Sequence, residues 1–289
     1  MLGRLTVFSL WSLHFLPLPV LAAIGKAVGM LAYAFISERR RVARINLKLC
    51  FPGLSARHRE RLLRRHFRCF GRAILEAGIA WWGSPKRLRH SVRIEGQEHV
   101  DALRGETFIC LVPHFVGLEL EGARVTMDYR GVAVYVHQKD PYIDAFLKRK
   151  RERFEGTRMI ARQEGVKAIL RALRDGQALQ LSPDMDLGAR DAVFVPFFGV
   201  PAATVTALSR MARLTQARVV PLVVRQLPGG RGYVARFYPA WEDYPGVSVQ
   251  QDTRRMNAFI EERVREMPEQ YLWTHRRFKT RPAGEPGYY

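Results

Sequence analysis

From Val92 onward the chain alternates short apolar runs with longer stretches of helical period, and this alternation limits the fold more than any other feature of the sequence. The apolar runs are 107–112, 132–136, 178–181, 218–224 and 233–238; the helical stretches are 118–127, 141–155, 164–175, 205–215 and 253–266. Strands that alternate with helices build an α/β layer, so the expected fold is a mostly parallel central sheet flanked by helices. At 289 residues, 47% of them hydrophobic, the chain has enough apolar material for one large domain or two small ones. There is no repeat of fixed period, and only 282–289 reads as a frayed tail.

Ligands of open α/β sheets gather beyond the carboxyl ends of the strands, which directs attention to polar residues just after the apolar runs. After the first run, Pro113 breaks the strand and is followed by His114, Gly117 and Glu119. On one regular helix, residues five apart point about 140° away from each other, so His114 and Glu119 meet only if His114 lies in a turn. Pro113 disfavours helix in the residue before it and Gly117 permits a bend, which predicts a strand, a turn holding His114 and a helix opening near Gly117. A carboxylate that accepts from one imidazole nitrogen fixes the tautomer and leaves the other nitrogen to take a proton. By chance alone a His-x4-Glu spacing is common, so it needs company.

Company is present at three further strand ends. Asp140-Pro141 opens a helix that ends in Lys148-Arg-Lys-Arg-Glu-Arg153; Arg162 stands just past a short strand at 157–161; Ser182-Pro-Asp-Met-Asp-Leu-Gly188 follows the run at 178–181. The planar, permanently charged guanidinium suits phosphate. Asp184 and Asp186 are either an Asx-type turn or cleft residues, and as a bare Asp-x-Asp they lack the further ligands of a metal site.

Before this region, 5–25 contains no charged residue and is long enough to cross about 30 Å of hydrocarbon as a helix. His14, Pro17 and Pro19 interrupt it, so a kinked span and a monotopic hairpin broken at Leu16-Pro-Leu-Pro19 both fit, as does a buried helical hairpin. The expected division is a membrane anchor over 1–37 and a catalytic domain over 38–289. Glu38-Arg-Arg-Arg-Val-Ala-Arg44 follows the apolar region, whereas only Arg4 precedes it, which by the positive-inside tendency keeps the bulk of the chain in the cytoplasm. Asn46-Leu-Lys-Leu-Cys-Phe-Pro-Gly53 reads as a turn, and Ser55 caps an amphipathic helix over 56–82. One face of that helix carries Arg57, Arg61, Arg64, Arg65, Arg68 and Arg72.

The 47 Lys and Arg against 27 Asp and Glu leave a formal charge of +20, which draws the chain to polyanions: nucleic acid, an anionic membrane, or an acidic protein or phosphorylated lipid. No helix-turn-helix, zinc-finger or aromatic RNA-binding signature accompanies the charge, so nucleic acid is not the expected partner. The three cysteines show neither disulfide nor zinc spacing, which suits a reducing compartment.

Taken in order, Asn46-Leu-Lys-Leu-Cys-Phe-Pro52, His114-Phe-Val-Gly-Leu-Glu119, Ser182-Pro-Asp-Met-Asp-Leu-Gly188, Val193-Phe-Val-Pro-Phe-Phe-Gly199 with Ala202-Ala-Thr204, and Gln270-Tyr-Leu-Trp-Thr-His-Arg-Arg-Phe-Lys-Thr-Arg281 resemble the lipid A biosynthesis lauroyl/myristoyl acyltransferase family nearly end to end. The wider glycerolipid acyltransferase superfamily is similar in the order of its blocks. The resemblance implies transfer of a fatty acyl chain from acyl carrier protein to a hydroxyl of a phosphorylated lipid A precursor, at the cytoplasmic face of the inner membrane, without a cofactor or metal. It implies His114 as general base with Glu119 as its orienting partner; the tetrahedral oxyanion also needs donors, for which backbone N–H groups at the helix start near Gly117 are candidates. Arg149, Arg151 and Arg162 are the residues expected at the acceptor phosphates, with Asp184 and Asp186 in the same cleft. One departure stands out: many relatives carry Arg after the tyrosine that Tyr135 resembles, and here Val136 stands there, with His137 next as a loop histidine.

Overall fold

The computed structural model describes residues 2–289. Four helices open the chain: α1 (Leu2–Leu13), α2 (Leu18–Phe35), α3 (Ser37–Cys50) and α4 (Ala56–Trp82). After α5 (Pro85–Ser91) come β1 (Val92–Glu95), α6 (Glu98–Asp101), β2 (Phe108–Leu111), α7 (Leu118–Val125), β3 (Gly131–Tyr135), α8 (Pro141–Arg151), β4 (Thr157–Ala161), α9 (Val166–Arg174) and β5 (Ala178–Leu181). A hairpin of β6 (Ala192–Phe197) and β7 (Val200–Val205) precedes α10 (Ala207–Thr215), β8 (Arg218–Gln226), β9 (Tyr233–Phe237) and α11 (Val249–Glu266).

The sheet runs β1-β9-β8-β2-β5-β3-β4, with every pairing parallel except β8 against β9. The α/β expectation therefore holds, and the five apolar runs become five of its strands. The central strands are covered on both faces: Ile109, Leu111, Leu179, Val219, Leu222 and Val224 lose essentially all contact with water. Each such burial contributes roughly 1.5–3 kcal/mol. The hairpin β6–β7, read in the sequence only as a motif, forms a separate antiparallel pair against α11.

At the N-terminus the apolar stretch breaks at 14–17, where Pro17 precedes α2, so it forms two helices. Neither stands apart. Helix α2 lies along α4 with backbone against backbone: a Cβ on Gly71 would come within 2.3 Å of the Gly25 carbonyl oxygen, and one on Gly29 within 2.0 Å of that of Phe67. Only glycine allows this approach. Helix α1 packs on α4 and α8, and Arg4 lies over the ring of Tyr142.

Two sequence expectations change here. Asn46–Cys50 is the last turn of α3, and the chain turns only after it. Arg72 does not belong to the solvated face of α4: it is buried beneath α2, paired at 3.0 Å with buried Glu76, and it donates to the Leu227 carbonyl at 2.9 Å. Glu76 also accepts from Tyr233 of β9, so a charged pair stitches α4 to the antiparallel end of the sheet.

Candidate active site

Strands β2 and β5 are parallel neighbours in the register Ile109 to Leu179 and Leu111 to Leu181, and the Val112 N–H continues the ladder to the Leu181 carbonyl at 2.9 Å. Three residues past the paired leucines stand His114 on one strand and Asp184 on the other. The register brings them together. Nδ1 of His114 donates to Asp184 Oδ1 at 2.6 Å, and the backbone N–H of His114 donates to Oδ2 at 2.9 Å. Burial opposes ionisation of Asp184, yet the charge of His114, the two hydrogen bonds and Arg277 outweigh it and hold the carboxyl down to about 2. The imidazole is thus fixed in one tautomer, with Nε2 as the nitrogen that has no protein partner among the described residues.

This geometry corrects the expectation that Glu119 would orient His114. Glu119 lies in the first turn of α7 and faces α8: it accepts from Arg151 Nε at 2.9 Å, from Arg151 Nη2, and from Trp81 Nε1 of α4 at 3.1 Å. Burial works against the Arg151 charge, but the attraction of Glu119 exceeds it and the guanidinium is held more firmly cationic than usual. Gly117 caps α7 with an ordinary φ of −85°, so the bend does not require glycine. Space does: a Cβ there would sit 2.8 Å from Val224 and 2.9 Å from the Tyr233 ring.

The segment 270–281 holds both loops. Val116 N–H donates to the Gln270 carbonyl at 2.9 Å and Leu272 N–H to the His114 carbonyl at 3.0 Å, so the His114 turn is one side of an antiparallel bridge. Asp186, buried, accepts from the Thr280 N–H at 2.6 Å and hydroxyl at 2.8 Å, while its own N–H donates to His275 Nε2 at 3.0 Å. Burial, with the His114 charge adding to it, pulls the His275 imidazole down to about 4, so it stays neutral and accepts that bond. Asn46 Nδ2 donates to the carbonyls of Trp273 and His275, both at 2.7 Å. Arg277, buried near Asp184, donates to Ala203 and Thr204 of the hairpin at 2.9 and 2.8 Å. The separate sequence blocks are therefore one hydrogen-bonded frame.

Two cavities meet at His114, Glu119, Trp81 and Leu118. The smaller, about 350 Å³, runs between α1, α4 and α8 and is walled by side chains such as Val7, Leu10, Ala73, Ala77 and Phe146. The larger, about 650 Å³, opens over the carboxyl ends of β3, β4 and β5 and carries Lys150, Arg151, Arg162 and Arg210 in its wall. Of the arginines singled out in the sequence, Arg151 and Arg162 line this cleft, whereas Arg149 points into solvent on α8 and lines neither cavity. Asp184 contributes to the imidazole rather than to the cleft wall, and Asp186 is a fastening of the frame. His137 is a loop histidine bonded to Asp144 at 2.7 Å. The sequence reading missed Trp81 as a donor to Glu119, the smaller cavity and Arg210, whereas Lys150 belongs to the basic cluster already expected near the cleft. The Asp184 pairing was recoverable only once β2 and β5 were known to be neighbours.

His114, held by buried Asp184, thus stands where an apolar cavity meets a basic cleft, with room for an apolar chain on one side and an anionic group on the other. The model of the bacterial lipid A biosynthesis acyltransferase family matches residues 2–280, and the chain belongs to that family. It is 35% identical over 283 residues to the lipid A biosynthesis lauroyltransferase of Escherichia coli K12, covering 97% of this chain and 92% of the relative. The palmitoleoyltransferase of the same organism is 34% identical with the same coverage, and its myristoyltransferase is 33% identical over 271 residues, covering 92% of this chain and 82% of the relative.

Proposed function

We propose that this acyltransferase moves a fatty acyl chain of the lauroyl or myristoyl class from an acyl carrier protein thioester to a hydroxyl of a phosphorylated lipid A precursor. The observation that carries the reading is the His114–Asp184 pair at the junction of the two cavities. In this reading the acyl tail lies in the apolar cavity, and the acceptor lies in the larger cleft with its phosphates toward Arg151 and Arg162. Nε2 of His114 takes the proton of the acceptor hydroxyl as that oxygen attacks the thioester carbonyl. N–H groups at the start of α7, where Gly117 is the cap, receive the oxyanion. Collapse of the intermediate breaks the C–S bond, the thiolate takes the proton from His114, and the ester remains. Asp184 stabilises the imidazolium while it exists. Glu119 sets the position of Arg151.

Anchoring follows from surface character. Leu5, Phe8, Trp11 and Phe15 on or beside α1, and Leu31 and Phe35 on α2, are exposed large apolar side chains, and α2 is the one described helix long and apolar enough to cross a membrane. Because α1 and α2 are packed onto α4 and α8, we read 1–37 as a monotopic element seated in the inner membrane, with the catalytic domain on the cytoplasmic side. Exposed arginines of α4 then face anionic lipid or the acidic carrier.

The test is lauroyl and myristoyl transfer from acyl carrier protein to a purified phosphorylated lipid A precursor in detergent. Wild type should transfer, and His114→Ala should lose at least about a hundredfold. Transfer to a lysophosphatidate acceptor in place of the glycolipid would overturn the acceptor assignment, and an active His114→Ala variant would remove the base.

A further inference from the structure

Trp81, in the last turn of α4, lines the apolar cavity and the basic cleft alike, as His114, Leu118 and Glu119 do. Its ring stands edge-on to Phe146 of α8, with centroids 5.4 Å apart and planes at 88°, and edge-on to Trp82 at 5.6 Å and 80°. Phe146 is itself a wall of the apolar cavity, so the indole has aromatic neighbours on those sides and open cavity beside it. Its Nε1–H donates to Glu119 Oε2 at 3.1 Å. The other carboxylate oxygen, Oε1, accepts from Arg151, at 2.9 Å from Nε and also from Nη2. Each oxygen of Glu119 thus has its own neighbour, and three side chains in a row connect the apolar cavity to the guanidinium in the cleft wall.

Among the described residues Glu119 is the sole hydrogen-bond partner of Arg151, and both side chains are partly exposed. A long side chain held in one rotamer before its ligand arrives gives up less freedom on binding, so what fixes Glu119 also fixes how well Arg151 can grip an anion. Trp81 does the fixing on the second oxygen. The indole in turn lacks contacts wherever it faces empty space, because a void supplies no atoms to attract it, and an alkyl chain in the cavity supplies them. We propose that Trp81 is a positioning residue that sets Arg151 through Glu119, and that an acyl chain lodged in the apolar cavity steadies this row, so that the acceptor is held more tightly once the donor chain is in place. The inference rests on the acyl-transfer reading given above. Linkage makes the effect mutual: a bound acceptor tightens the donor chain by the same factor.

The test is the acceptor KM measured with octanoyl, decanoyl and lauroyl carrier protein, using the full chain in lipid nanodiscs. In wild type it should fall by at least about fivefold as the chain lengthens. Trp81→Phe keeps a ring against Phe146 and loses the N–H, and it should give one flat value at the short-chain level. A packing role alone would lower the melting temperature without flattening the dependence. Glu119→Gln turns its carbonyl to the two Arg151 donors and its NH₂ to the indole N–H, so it breaks the Trp81 bond; it should flatten the dependence too and serves if Trp81→Phe fails to fold. Binding of the phosphorylated precursor with and without dodecanol, read by calorimetry, needs no transfer. Transfer with an acceptor KM independent of chain length overturns the inference and leaves the acyl-transfer reading standing, as does a dependence that survives in folded Trp81→Phe. Absence of transfer, with dodecanol tightening the precursor in wild type but not in Trp81→Phe, overturns that reading and supports the inference. Absence of both overturns both.

Discussion

Replacing Asp184 by Asn tests the arrangement at its tightest point, since shape is kept and one charge is removed. In the resting structure His114 Nδ1 and Asp184 Oδ1 are 2.6 Å apart and the carboxylate is wholly buried. In the proposed reaction Nε2 takes the proton from the acceptor, and an imidazolium then faces that carboxylate with charge centres about 4 Å apart. At an effective dielectric of about 20 the attraction is about 4 kcal/mol, a factor on the order of a thousand in rate. Asparagine loses this attraction. It must also turn its NH₂ toward one of the two donors that now meet oxygen, the His114 ring or the His114 backbone N–H. We expect kcat for acyl transfer to fall about a thousandfold while KM for both substrates moves only a few-fold, with the fold checked by circular dichroism and melting. Glu119→Gln should lose at least tenfold less in kcat, because its bonds go to Arg151 and Trp81. A folded Asp184→Asn enzyme within tenfold of wild type would refute the reasoning. So would a Glu119→Gln variant that alone reproduces the thousandfold loss, since it would return Glu119 to the histidine.

Four further outcomes are expected. Arg162→Ala, removing an exposed guanidinium from the cleft wall, should raise KM for the phosphorylated acceptor by about 10- to 100-fold with kcat little changed, measured at low and high salt. Ala77→Phe narrows the apolar cavity and should shift transfer toward chains shorter by two or more carbons, read by mass spectrometry of the product. Gly71→Val drives a side chain into the Gly25 carbonyl and should cost about 3 kcal/mol, seen as a lowered melting temperature. Asp184 contributes to pH-dependent stability with a definite sign: its folded value lies at about 2 against the ordinary 3.8, so about 2 kcal/mol is present above pH 3.8 and is lost as pH falls toward 2. In acid unfolding curves Asp184→Asn should lack that component.

How much of this was legible in the residues depended on how local each feature is. Strand and helix identity is written in periodicity over a few residues, and β5 and α4 keep the boundaries the sequence suggested. His114 was legible because Pro113 and the preceding apolar run fix it at a strand end. Its partner was not, because the pairing depends on which strands are neighbours, and β2 lies beside β5 through a crossover that no local pattern records. The His-x4-Glu spacing favoured Glu119, which the structure turns toward Arg151, 32 residues further along. Arg72 misled for the same reason: its helical face is solvated at Arg65 and Arg68 but covered where α2 crosses. The apolar cavity was hidden in the segment read as an anchor or a buried hairpin, since Val7 and Leu10 become a wall only when α1 packs on α4 and α8.

The strip 270–281 is bonded at once to parts of the chain that are far apart in sequence: Asn46 on α3, the turn at His114, the loop at Asp186 and the hairpin at Ala203. A change that loosens this strip therefore reaches all four together, so that a substitution far from the cleft, at Asn46 or Thr280, is felt as a displacement of His114 and Asp184 rather than as a local loss.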